Sequence, residues 1–188
     1  MLVREFLKED PASAREGKTV AETRELMEEN NFRIIFVVDE EEKLVGFLTY
    51  DSIKDQPGEK PIDDYLSRST LHAEVTDTID KAVSIIKEYS LMVLPVVDSE
   101  RRLVGVLTPG RLFEEFSDLL NFGQGGFWIT LPCEKPDDME KVLSVLNDQN
   151  VELLNLLRSE GADERKMIVK VGKVEDGQAL KESLAEVV

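Results

Sequence analysis

Few residues in this chain carry the side-chain chemistry of catalysis. There is one histidine, His72, and one cysteine, Cys133. Together they supply neither a zinc-ligand set nor a cysteine–histidine nucleophile with a supporting histidine. The glycine-rich phosphate loops, the nucleophile-elbow motif and the paired-histidine zinc motif are absent from the sequence. What remains are two stretches with hydroxyl and charged groups at matching spacing, Thr49-Tyr50-Asp51-Ser52 and Thr108-Pro109-Gly110-Arg111. Groups of this kind bind rather than react. A carboxylate accepts from two hydroxyls at once, a single hydroxyl does not, and a guanidinium holds an anion.

Each stretch has a local reading beside the binding one. Thr108 followed by Pro109 has the form of a helix cap with proline at the first helical position. Thr49 with Asp51 has the form of a cap followed by an acid that the helix dipole favours. Arg111 is the exception, because a cation in a first turn opposes the dipole by about 0.3–1 kcal/mol. Either Glu114 or Glu115 offsets it as a surface pair worth about a few tenths of a kcal/mol, or Arg111 holds an anionic ligand. His72, on the lead-in strand of the same half, is placed at the same lip or is an ordinary surface residue.

The elements that position these residues occur twice. Asp39 and Asp98, Gly46 and Gly105, Thr49 and Thr108, and Thr19 and Thr78 are all separated by 59 residues. The register extends back to Val3 and Ile62 without a gap. Each copy reads as a short lead-in, a helix with an apolar face (Val20, Leu26, Met27; Ile79, Val83, Ile86), a β-hairpin and a closing helix. The hairpin strands RIIFVVD and MVLPVVD are β-branched and apolar, as in buried strands. The second strands end in LVGFLT and LVGVLT. The repeat stops after Leu120, and residues 121–126, NFGQGG, read as a hinge. A different pattern follows: strand FWITL, a helix with Met139, Val142, Leu143 and Leu146 on one face, strand VELLNLL, turn SEGADER, strand KMIVKV and a last helix. The order β-α-β-β-α is a split βαβ plait without its final strand, and the chain ends at Val188 where that strand is expected.

Composition bounds the partners. Hydrophobic residues make up 41% of the chain, enough for packed cores. Thirty-nine acids against 23 bases leave a net charge of −16, which repels nucleic acid and anionic membranes. No apolar run approaches the length that spans a bilayer, and the first residues carry acids rather than a secretory apolar segment. With one unpaired cysteine, a reducing cytoplasm is the expected setting.

The duplicated VVD…LVG-x-LT unit resembles the CBS domain, which occurs as tandem pairs that bind adenosine-type ligands and regulate other proteins. The C-terminal piece is similar to an ACT domain, and the whole layout resembles the bacterial acetoin-utilisation CBS–ACT regulatory proteins. The resemblance implies an α+β chain: CBS 1 over 1–58, CBS 2 over 59–120 as a pseudo-twofold pair, a hinge at 121–126, and an incomplete ferredoxin-like ACT domain over 127–188. It implies a non-catalytic, cytoplasmic homodimer that senses AMP, ATP or S-adenosylmethionine and needs no cofactor. The family's G-h-h-T-x-x-D signature places a threonine and an aspartate on ribose or phosphate. Here the aspartate position holds Ser52 in copy one, with Asp51 one residue early, and Arg111 in copy two. The ligand candidates are thus Thr108, Arg111, His72, Thr49, Ser52 and Asp51, with a phosphate expected near Arg111. Phe36 stands where copy two has Pro95, on the strand that lies against adenine in the family, and reads as filling the first pocket. In the ACT-like loop Asp137 replaces the family's glycine, which implies pairing or docking rather than amino-acid capture.

Overall fold

The computed structural model describes residues 1–68, 71–160 and 165–188. They form two compact units, residues 1–115 and 116–188, described separately below. In the first unit, copy one comprises β1 (Ser13–Arg15), α1 (Val20–Glu29), β2 (Ile34–Val38), β3 (Leu44–Thr49) and α2 (Tyr50–Ile53). Copy two comprises β4 (Ala73–Glu74), α3 (Ile79–Tyr89), β5 (Leu94–Val97), β6 (Leu103–Leu107) and α4 (Pro109–Leu119), whose last turn falls in the second unit. Each copy makes one three-stranded sheet, β1-β2-β3 or β4-β5-β6, with a parallel first pair and an antiparallel hairpin.

Local chemistry accounts for these boundaries. Thr19 and Glu22 form a reciprocal capping box at the start of α1, and Thr78 caps α3 by accepting from the Lys81 N–H. Asp39 Oδ1 accepts from the N–H groups of Glu41 and Lys43, each at 2.9 Å, and Asp98 does the same for Glu100 and Arg102. That is the Asx-type turn that lets each hairpin reverse. The residue two before each second strand, Glu42 or Arg101, is left-handed in both turns, with φ of 64° and 65°. Copy one closes over a core of Val20, Met27, Ile35, Val37, Leu48 and Ile53.

The lead-ins are exchanged between the copies. Ile62 sits in the core of copy one, and Ser67 exchanges backbone hydrogen bonds with Phe47 of β3, both at 3.0 Å. Reciprocally, Val3 donates to Asp77 O, and Lys8 exchanges backbone hydrogen bonds with Val106 of β6 at 2.9 and 3.0 Å. The hairpin tips meet in the same symmetric way, Leu44 N–H on Arg101 O and Leu103 N–H on Glu42 O, each at 3.0 Å. Pairing of the same surface on both partners is what an approximate twofold requires. It also gives the repeated glycine its reason. A Cβ at Gly105 would lie 2.6 Å from Leu7 Cδ1 and 2.8 Å from Lys8 O, and one at Gly46 would collide with the carbonyl of Ser67.

The second unit runs β7 (Phe127–Pro132), α5 (Asp138–Asp148), β8 (Leu153–Glu160), β9 (Arg165–Val171) and α6 (Gly177–Ala185). Its sheet has the order β7-β9-β8, antiparallel throughout. Ile129, Leu131, Met167, Val169 and Val171 of the sheet pack with Val142 and Leu146 of α5 and Leu180 and Leu184 of α6. Leu143, placed by periodicity on the same helix face, is 39% exposed. The turn expected over SEGADER includes residues 161–164, which lie outside the described residues. The glycine-rich stretch read as a hinge is tied to this sheet. Lys170 is only 2% exposed, and its ammonium donates to the carbonyls of Asn121 and Gln124 while facing the Trp128 ring at 5.2 Å. A buried ammonium needs such acceptors, so residues 121 and 124 are held in place.

Candidate ligand-binding clefts

Exchange of the lead-ins builds two clefts in the first unit, each walled by both copies. One has a volume of about 290 Å³ and is lined by Lys8 and Asp10 from the lead-in, Arg33 and Phe36 from copy one, and Val106 and Thr108 from copy two. The other has a volume of about 390 Å³ and is almost wholly apolar, with Phe36, Phe47, Leu71, Tyr89, Met92 and Pro95 among its walls. Phe36 borders both clefts, together with Ile34, Met92 and Val93. Tyr89 and Met92 are 51% and 75% exposed, leaving an aromatic ring and a soft thioether at the mouth of the larger cleft.

The polar candidates are arranged as caps first. Thr49 Oγ1 accepts from the Ser52 N–H at 3.2 Å, and Ser52 Oγ donates back to Thr49 O at 2.7 Å. Asp51 is paired with Lys54 at 2.7 Å, and this hydrogen bond holds its carboxyl below the ordinary range. Thr108 Oγ1 accepts from the Arg111 N–H at 3.1 Å and also lines the smaller cleft. The Arg111 guanidinium is taken up by Glu115, with Glu114 at 3.5 Å, the offsetting pairs that helical spacing allows. The lead-in that carries His72 runs toward the larger cleft, where Leu71 is a wall, and His72 itself acts on Asp77. The Asp77 carboxyl lies below its ordinary value. Partial burial opposes that shift, but the Glu74 N–H, Lys81 and His72 outweigh it. Each lead-in turns toward the other copy's second strand.

Three groups in the smaller cleft fall outside the sequence signature. Lys8 and Asp10 lie in the lead-in, and Arg33 precedes β2. Asp10 adopts φ of 54°, a left-handed conformation that aspartate tolerates better than most residues. Arg33 lies over the Tyr50 ring at 5.4 Å, and the Tyr50 hydroxyl donates to Glu28 at 2.7 Å. No local pattern marks these residues. Only the charge itself, next to an unremarkable lead-in, was available as a signal. Among the described residues no group of three or more histidine, cysteine or acidic side chains is placed to hold a metal, and no helix is long and apolar enough to cross a membrane.

Comparison with known proteins follows the same division. The chain is 29% identical over 109 residues to L-aspartate semialdehyde sulfurtransferase of Methanocaldococcus jannaschii, a match covering 57% of this chain and 21% of that protein. It spans about a fifth of the length of the curated relatives it matches. A CBS domain pair/ACT domain protein of Thermotoga maritima superposes with a TM-score of 0.58 at 24% identity, covering 64% of this chain and 99% of that one. The CBS domain pair of protein MJ0100, solved in complex with 5′-methylthioadenosine and S-adenosyl-L-methionine, gives 0.53 at 27% identity over 63% of this chain and 97% of that one. The CBS domain model matches residues 3–57 and again 62–118, so the chain belongs to the CBS domain family and carries a tandem pair.

Proposed function

We propose that this chain is a cytosolic regulatory module whose CBS pair binds an adenosine-type ligand, AMP, ATP or S-adenosylmethionine, and passes that state to a partner without catalysing a reaction. The observation that carries the reading is the pair of clefts walled by both copies, together with adenosine compounds in the complex of the MJ0100 pair. A ligand seated there touches both copies and therefore favours one angle between them, which is the thermodynamic content of a sensor. The acidic field ranks AMP and the cationic S-adenosylmethionine above ATP.

The second unit acts as an ACT-like pairing or docking domain, and the protein as a homodimer. Its strand order β7-β9-β8 is that of a ferredoxin-like sheet up to its third strand. Its loop after β7 is closed on itself: Asp138 Oδ2 accepts from the N–H groups of Glu134 and Lys135 at 3.0 and 2.8 Å. With those two backbone donors already taken by Asp138, the loop offers less to an amino-acid carboxylate, which favours pairing over capture.

A second reading, a scaffold with no ligand, draws on the capping geometry of Thr49 and Ser52 and on the neutralised Arg111. Thermal unfolding with AMP, ATP and S-adenosylmethionine separates the two. A ligand at one hundred times its Kd stabilises by about 2.7 kcal/mol. A raised Tm with at least one compound supports the sensor, and no shift with any of them leaves the scaffold.

A further inference from the structure

The sheet of the second unit has two faces. Ile129, Leu131, Met167, Val169 and Val171 point into the core with α5 and α6, so by alternation Trp128 and Lys170 lie on the opposite face. A lysine on an open sheet face keeps its ammonium in water, yet Lys170 is only 2% exposed. What covers it is the glycine-rich stretch between α4 and β7. The ammonium donates to Asn121 O and, at 3.2 Å, to Gln124 O, beside the Trp128 ring. The stretch is folded to fit. The Phe122 N–H donates to Ser117 O at 2.8 Å and the Gln124 N–H to Asn121 O at 3.2 Å, with Asn121 and Gly123 left-handed at φ of 56° and 81°.

This cover is closed by polar contacts more than by packing. Phe122 meets Trp128 with ring centroids 5.7 Å apart, but the two remain 52% and 40% exposed. On the same face Asn155, the cross-strand neighbour of Lys170, has a buried Nδ2 with no hydrogen-bond partner among the described residues. Two effects of similar size therefore oppose each other. Charge-assisted hydrogen bonds from Lys170 favour the closed stretch, and an unpaired buried amide, which water would satisfy, favours the open one.

We propose that residues 121–124 are a strap latched by Lys170, which opens and closes over this face while the rest of the second unit stays folded. Closed, the strap leaves no slack between α4 and β7. Open, residues 121–126, with glycines at 123, 125 and 126, become a flexible connection. The latch thereby sets whether the closing helix of copy two is joined to the second unit stiffly or loosely, which gives the relay proposed above a two-state element. Only that use rests on the sensor reading; the strap itself is tested with no ligand present.

Hydrogen exchange on the full chain tests it, with acrylamide quenching of Trp128, the single tryptophan, as a second readout. In the wild type the Phe122 and Gln124 amides should exchange at least about tenfold faster than those of β9, through an opening that low denaturant does not accelerate. Lys170→Met keeps the length and removes the donors. It should speed the same two amides by a further factor of about ten, the worth of one charge-assisted hydrogen bond, and raise quenching of Trp128 with β9 unchanged. Asn155→Leu, which removes the unpaired amide, should slow them. Exchange of Phe122 and Gln124 at the β9 rate in the wild type overturns the strap, and rates unchanged by Lys170→Met overturn the latch. If Lys170→Met instead strips protection from β9 as well, Asn155→Leu decides: slower exchange at 122 and 124 supports the strap, and an unchanged rate overturns it.

Discussion

A hydrogen atom in place of a side chain decides how the two copies meet. At Gly46 the space a methyl group would need is taken by the Ser67 carbonyl, which is backbone and bound to Phe47. Gly46→Ala therefore forces the exchanged lead-in off its strand. The expected destabilisation is about 1–3 kcal/mol, as for overpacking elsewhere, read from denaturant or thermal unfolding. Gly110 gives the opposite sign in the same measurement. A Cβ there meets only Thr108 Oγ1 at 4.0 Å, and the residue lies in the first turn of α4. Gly110→Ala is expected to be neutral or stabilising by up to about 1 kcal/mol, through lost backbone freedom in the unfolded chain. A Gly46 variant as stable as the wild type would remove the steric reason for the repeated glycine.

At the scale of elements, each hairpin tip is organised by one aspartate. Asp98 accepts from two backbone N–H groups and from the Arg102 guanidinium at 2.7 Å, and the Arg102 hydrogen bond is the main cause of its depressed pKa. A carboxyl whose folded pKa is lowered adds stability above its unfolded pKa and loses it as pH falls through the folded one. Asp98→Asn should thus lower Tm at neutral pH, and the gap from the wild type should close below the ordinary carboxylate range. A gap that persists unchanged into acid would assign the effect to shape rather than charge.

Much of this layer was legible beforehand. The 59-residue offset, the threonine caps and the Val-Val-Asp turns are local signals, and the helices and strands form where those signals place them. The destination of the lead-ins was not legible. Offset counting assigns residues 1–8 to the helix that follows them, whereas their hydrogen bonds go to β6 and to Asp77, about seventy to one hundred residues on. Everything that depended on that exchange was missed with it: the steric role of Gly46 and Gly105, and the charged walls formed by Lys8, Asp10 and Arg33. The glycines of NFGQGG likewise suggested freedom, because nothing local reveals that a lysine about fifty residues later closes on their neighbours.

For the whole molecule, the reciprocal lead-ins mean that neither copy completes its fold alone, so a ligand between them acts on both at once. Ile62 from the second lead-in closes the first core, and Val3 and Lys8 from the first lead-in reach the second copy. Small changes in a cleft therefore change the fit of the two copies, which is the form of bistability a sensor needs. The most direct measurement is calorimetric titration of the full chain with AMP and with S-adenosylmethionine. Saturable binding of at least one of them, lost or weakened when a cleft wall is changed by Phe36→Trp, is the predicted result. The absence of saturable binding by both, in a chain that is folded by its thermal transition, would contradict an adenosine-sensing CBS pair.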